Sequence, residues 1–384
     1  MIAKSLILVT VIVAASVSTA VAELAISAND NKQVLVNGQS RIVASPPPDT
    51  VTIIDLSVKP PKVVAEINAP ASVVGPPLSV AITPDESLAL VTAATKVDPA
   101  DATKTTPDNR MSVIDLKATP PRVIATLETG KGPAGLSINR KGTLALVANR
   151  AEGSVSIFSI EGKNVKAAGK LTLGDEKTGV SHVAIAPDGK MALVSRDGDD
   201  RVSVLSIDGT KVEYTKRDIY AGLRPYGLDI ASTGTIAAVA NIGRGQGDSD
   251  TVSLIDLQAK PPRVVDTISV GQTPEGLKIS PDGSIVAVVV MNGSNKAKES
   301  PFFNDAGKVV LLRVIGSSLH RVAEAPIGHW SQGVAFSADG STILVGNMVE
   351  KDVHVFEFGG ASLTDTGTRI KVNGGSAALR TADK

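Results

Sequence analysis

The chain reads as all-β: a seven-bladed β-propeller of four-stranded antiparallel blades around a central channel. Three observations predict it. A strand ending in or near Ile-Asp-Leu recurs seven times, as VTIIDL (51 to 56), SVIDL (112 to 116), VSIFSI (155 to 160), VSVLSI (202 to 207), VSLIDL (252 to 257), VVLLRV (309 to 314) and VHVFEF (353 to 358). Equivalent positions in these copies are 60, 44, 47, 50, 57 and 44 residues apart, and a unit of roughly 40 to 50 residues is the length of a propeller blade. Small and β-branched residues dominate the strands, while patterning at the helical period is hard to find.

Each repeat reads in the same order. In residues 268 to 289, ISVGQTPEGLKISPDGSIVAVV, the strand GLKIS is followed by a Pro-Asp-Gly turn and a second apolar strand. VSLIDL and VVDTISV supply strands three and four in the preceding copy. Asp188-Gly189, Asp282-Gly283 and Asp339-Gly340 place residues tolerant of positive φ where strand one reverses into strand two. Pro60-Pro61, Pro120-Pro121 and Pro261-Pro262 fall at the start of the outermost strand, where a missing N–H costs least and edge pairing is discouraged. One blade cannot bury both faces of its sheet, whereas seven in a ring cover each other.

Residues 1–22 read as a signal peptide: Lys4 precedes an apolar run, and Ala20-Val21-Ala22 offers a small-residue cleavage site. The apolar run is short for a membrane span. The expected location is therefore periplasmic or secreted, with no span after cleavage. Residues 23–373 are expected to form the single propeller and 374–384 a C-terminal tail over the ring seam. Within blade one, ELAIS (23 to 27) and QVLVNG (33 to 38) read as strands one and two.

Past residue 22 the chain carries 38 basic and 39 acidic residues, so no global field favours nucleic acid or anionic lipid. There is no cysteine, which excludes disulfides, thiol catalysis and thiolate metal sites together. A closed ring needs no partner for stability, so a monomer is expected. No G-x-S-x-G or H-E-x-x-H occurs, GRGQGD (243 to 248) lacks the context of a phosphate cradle, and DGDD (197 to 200) reads as a turn. No cofactor and no metal are expected.

The segments Val34-Leu35-Val36-Asn37, Leu146-Val147-Ala148-Asn149, Ala238-Val239-Ala240-Asn241 and Leu344-Val345-Gly346-Asn347 resemble the YVTN repeat. Together with P-x-G-L-x-I-S-P-D-G they are similar to the YVTN and lactonase-like seven-bladed propellers, over about residues 24 to 373. The resemblance implies the fold. It does not choose an activity, because similar propellers include lactone hydrolases, cofactor-bearing dehydrogenase subunits and proteins without assigned chemistry.

A four-stranded meander puts the loop between strands two and three on the same face as the loop leading into the next strand one. We call this the upper face. The long segments 37 to 50, 93 to 110, 242 to 250 and 291 to 307 all fall there, and long loops on a compact scaffold favour binding. The residues that begin each strand one add Ser181-His182, Arg224-Pro225-Tyr226, Glu275 and His329-Trp330-Ser331-Gln332.

His182, which replaces a glycine of the other blades, is a candidate general base, a metal ligand or a satisfied structural histidine. Glu275 is the second candidate for proton transfer, or a solvated rim carboxylate. Arg224, Tyr226, His329, Trp330 and Gln332 are candidate ligand-binding residues, with Arg224 suited to a carboxylate or phosphate. Lys131, Arg150, Arg196 and Arg244 add positive charge to the same rim. Two functions fit: a binding module for a small anionic molecule or a periplasmic protein, or a lactonase-like hydrolase acting on a small anionic lactone.

Overall fold

The computed structural model of the chain describes residues 23 to 384; the expected signal peptide lies outside the described residues. All seven recurring strands form the third strand of a four-stranded antiparallel sheet, and the sheets follow one another as seven blades. The described residues contain one short 3₁₀ turn, Glu176–Thr178, and otherwise strands and turns. No helix among them is long and apolar enough to cross a membrane.

The repeat builds a core in seven parts, each between two neighbouring blades. Blades three and four, for example, bury Leu146, Val155, Val183, Val194 and Leu205 against one another, and blades seven and one bury Leu344, Val355, Ile54 and Leu379. Such side chains stabilise by about 1.5–3 kcal/mol each when fully buried. Both faces of every blade are covered, which is why the strands read as near-continuous apolar runs.

The ring closes differently from the expectation. Leu24–Asp30, which holds ELAIS, is the second strand of blade one, and the first strand is Gly375–Thr381 from the other end of the chain. Residues of the expected tail thus lie inside the ring, hydrogen-bonded to Leu24–Asp30, which pairs in turn with Thr50–Asp55. QVLVNG is not a blade strand at all: Gln33–Val36 pairs with Gln39–Ile42 as a separate hairpin. Its turn residues Asn37 and Gly38 have φ of 44° and 73°, the conformation an Asn-Gly hairpin turn requires. The repeat signature in blade one is therefore Ile26-Ser27-Ala28-Asn29, and Val34–Asn37 only mimics it.

The asparagine that ends this signature is a structural clamp. Asn149 Nδ2 donates to Ser154 Oγ and Ser156 Oγ, both at 2.9 Å, while Asn29 and Asn241 hold paired hydroxyls of their own third strands in the same way. In blade four Arg196 stands at this position, opposite Val180 as Asn149 stands opposite Pro133. Its guanidinium donates to Ser203 Oγ at 3.1 Å and pairs with Asp199.

Two features recur where each first strand starts. Gly132, Gly179, Arg224, Thr273 and Trp330 hold the same turn position, with φ between 50° and 66°. Non-glycine residues there carry a cost of order 1 kcal/mol. Immediately afterwards the ladder slips, between Pro133 and Leu136, Val180 and His182, Pro225 and Leu228, Pro274 and Gly276, and Ser331 and Val334. A bulge of this kind re-aims side chains. The bulged residues Ala134, Ser181, Tyr226, Glu275 and Gln332 form the upper ring of the channel.

The insertions meet on the upper face. The hairpin tip at Gly38 approaches Ala297 and Lys296 of blade six, Lys296 Nζ donates to Gly245 O of blade five at 2.6 Å, and Phe302 covers Gly247. Segment 93 to 110 is mostly strand rather than loop, because Leu88–Val97 and Thr105–Asp115 continue past the blade as one long hairpin.

Candidate functional site at the upper channel mouth

The site grows from Asp197, the residue after Arg196 in blade four. Its carboxylate is buried and receives Arg150 Nη2 at 2.8 Å, Arg224 Nη2 at 2.9 Å and Ser181 Oγ at 2.6 Å. Arg150 Nη1 reaches both Asp197 and Ser181. Blades three, four and five are thereby clasped through one acid. Burial would raise the Asp197 carboxyl, but Arg150, Ser181 and Arg224 overcome it and hold it below the usual carboxylate range.

Arg150 also lies over the Tyr226 ring, 5.6 Å from its centre. Burial drives the Tyr226 phenol well above its ordinary value, so it stays neutral. Arg224 owes its orientation to the left-handed turn, where its backbone N–H is held by Asp200 Oδ1 at 2.8 Å. Its Nη1 reaches Gly243 O at 3.3 Å, and its side chain remains 37% exposed.

Glu275 is the bulged residue of blade six and keeps a partly exposed edge. Burial pushes its carboxyl up to about 7, against the nearby Gln332, Arg224 and Arg150, while Asp197 adds to the rise. It changes charge at neutral pH. Gln332, the bulged residue of blade seven, is fully buried, and neither its Oε1 nor its Nε2 has a hydrogen-bond partner. The amide lies near enough to Glu275 to favour its ionised form, without a hydrogen bond of ordinary length. One mouth thus holds a carboxyl poised near neutrality, an unpartnered amide and two guanidinium groups.

The structure separates other candidates from this cluster. His182 Cβ and ring pack against Gly135 of blade three, and the ring lines a cavity at the opposite mouth. Burial first, and then Arg380, keep the imidazole well below its ordinary value, so it is neutral there. His329 is held at the rim, its Nδ1 2.6 Å from Glu350 Oε1. Trp330 packs on Val73, Met348 and Ala377, beside a second pocket under the hairpin. Arg196 is consumed in its clamp, and the side chains of Lys131 and Arg244 are exposed on the rim. Asp197 lies in DGDD (197 to 200), which reads in the sequence only as a turn. Its signal is positional: SRD in blade four stands where blade three has ANR, so an acid replaces a base at one face of the same turn. Among the described residues no group of three or more His, Asp or Glu is placed to hold a metal ion.

No protein-family model matches the chain, and no curated protein is similar to it in sequence. Solved structures are similar in fold. A candidate 6-phosphogluconolactonase from Bacteroides fragilis is 16% identical with a TM-score of 0.70, the match covering 95% of this chain and 99% of that one. The periplasmic gluconolactonase of Pseudomonas aeruginosa is 17% identical with a TM-score of 0.65, over 94% and 99%. A protein of unknown function from Desulfotomaculum acetoxidans is 15% identical with a TM-score of 0.67, over 94% and 99%. At such identities the likeness speaks for fold alone: the chain has the fold of the lactonase-like propellers, and the YVTN family itself finds no matching model.

Proposed function

We propose that the chain is an exported, periplasmic propeller that binds a small hydroxylated anion, such as a sugar acid, at the upper mouth of its channel. The observation that carries this reading is Gln332, a fully buried amide whose oxygen and nitrogen both lack a hydrogen-bond partner of ordinary length although the side chain interacts with Glu275. An unpartnered buried amide costs about 1–3 kcal/mol, which a ligand hydroxyl recovers. Asp197 neutralises one of the two guanidinium groups and leaves the exposed edge of Arg224 for a carboxylate. Protonated Glu275 donates to a ligand oxygen. The periplasmic neighbour from Pseudomonas aeruginosa agrees with the location. The test is calorimetric titration with gluconate: wild type binds, and Gln332→Leu weakens binding at least tenfold without lowering Tm. Equal affinity in the two proteins rejects the site.

A second reading, hydrolysis of a lactone, is favoured by the Glu275 carboxyl at about 7. Ionised Glu275 would take a proton from water as the water oxygen attacks the lactone carbonyl. Arg224 would stabilise the developing oxyanion, and the proton would return to the ring oxygen as the carbon–oxygen bond breaks. The two readings differ in sign with pH. Binding of the anion weakens as pH rises through about 7, whereas hydrolysis accelerates over the same interval.

A further inference from the structure

The opposite mouth of the channel holds a second cluster of charge. Strand register aligns Ser137, Ala184, Asp229, Lys278, Ala335 and Arg380 on successive first strands. Three of the six are charged, and Asp229, Lys278 and Arg380 are all buried. Lys278 Nζ lies 3.0 Å from Asp229 Oδ2 and 2.6 Å from Asp383 Oδ1, and Arg380 Nη2 lies 2.8 Å from Asp383 Oδ2. Asp383 follows the strand Gly375–Thr381, and Ala382, Asp383 and Lys384 line this mouth. Lys384 Nζ lies 2.8 Å from Glu86.

Beside this terminal segment lies a cavity of about 130 Å³. Its wall is part apolar, from Ile185, Ile230, Ile279 and Phe336, and part polar. The polar part is incomplete. Arg380 is 3% exposed, yet its Nε and Nη1 have no partner, and neither has Nδ1 of His182, which is 1% exposed. Two N–H groups of one buried guanidinium are therefore unpaired beside a cavity at which Asp383 meets Arg380 and Lys278, and Asp229 meets Lys278 as well.

We propose that this mouth is a second binding site, specific for a small organic carboxylate with an apolar body, and that Asp383 is its displaceable internal occupant. With Asp383 withdrawn, Lys278 keeps Asp229 and Lys384 keeps Glu86, while Arg380 loses its one acid, which leaves an unpaired guanidinium for a monoanion. A planar carboxylate matches the guanidinium edge, of which Asp383 uses only Nη2, leaving Nε free. The isoleucines and Phe336 take the apolar body. His182, neutral, adds its imidazole to the wall, with Nδ1 turned against Gly135. The site is independent of Glu275 and Gln332.

The test is calorimetric titration of the purified chain with benzoate, and with inorganic phosphate as the tetrahedral alternative. Wild type binds benzoate weakly, because Asp383 competes. Asp383→Asn binds it at least tenfold more tightly, and adding Lys278→Met to that variant abolishes the gain, whereas Glu275→Gln leaves it intact. Because the chain has no cysteine, Ala382→Cys provides a single thiol that reports on the segment directly. Saturating benzoate speeds its alkylation several-fold as the segment lifts. Equal benzoate affinity in wild type and Asp383→Asn overturns the proposal. So does an alkylation rate indifferent to benzoate, and tighter binding of phosphate than of benzoate overturns the carboxylate specificity.

Discussion

The two mouths of the channel both pair arginine with aspartate, but they use the pair for opposite ends. At the upper mouth Asp197 lies between Arg150 and Arg224, is buried, and joins three consecutive blades. At the lower mouth Asp383 lies between Lys278 and Arg380 at the end of a short segment, with its side chain 34% exposed. The first acid is part of the wall, and the second occupies a space. The pairing is structural where the acid joins three blades, and exchangeable where it lines a cavity beside a guanidinium with unpaired N–H groups.

The largest expected effect tests that contrast. Asp197→Ala leaves two guanidinium groups without their acid and should lower unfolding stability by about 3–5 kcal/mol. Asp383→Ala should cost less, about 1–3 kcal/mol, since Arg380 loses its acid but Lys278 keeps Asp229 and the Asp383 side chain is 34% exposed. Chemical denaturation of both variants decides it. Equal losses would make Asp383 as structural as Asp197 and erase the distinction.

A smaller effect is expected from Glu275. Burial raises its carboxyl from the ordinary 4.5 to about 7, so between those values the folded protein keeps a proton that the unfolded chain has released. The stability from this group is complete below about pH 4.5 and is lost as pH rises through about 7. Glu275→Gln should therefore match wild type near pH 4.5 and exceed it by about 2 kcal/mol above pH 7, measured as Tm against pH. A variant less stable than wild type at pH 8 would mean that ionised Glu275 is favourably paired.

The smallest effect concerns the turns that aim the upper ring. Thr273 is left-handed at φ 54° where blades three and four have glycine, and its backbone N–H is held by Asp250 at 2.8 Å. Thr273→Gly should remove the strain and gain up to about 1 kcal/mol, offset in part by unfolded-chain entropy. A loss of more than that in thermal unfolding would show that the threonine side chain, not the turn, sets the local stability.

Much of the fold was legible because each third strand repeats a sequence pattern tied to a buried position. The ring seam was not. QVLVNG alternates and turns like a blade strand, and only the asparagine clamp, Asn29 with Thr50 and Thr52, marks LAISAN as the true second strand. The Pro-x-Gly register sets Tyr226, Glu275 and Gln332 at equivalent positions, and in the structure each falls at a ladder slip. The same register misplaced the ring of His182: in blade four the bulge takes up Ser181, and the imidazole packs over Gly135 toward the other mouth. Asp197 and Asp383 carry no local motif. Asp197 takes its role from Arg150 and Arg224 of the two neighbouring blades, and Asp383 in part from Lys278, 105 residues earlier in the chain.

The central claim is that the upper mouth is a ligand site governed by the charge of Glu275. Its most direct test is gluconate affinity measured from pH 5.5 to 8.5 in wild type and Glu275→Gln. The account predicts affinity in wild type that falls as pH rises through about 7, and a flat profile in the variant. A wild-type profile that is flat, or a fall that persists in Glu275→Gln, would contradict it.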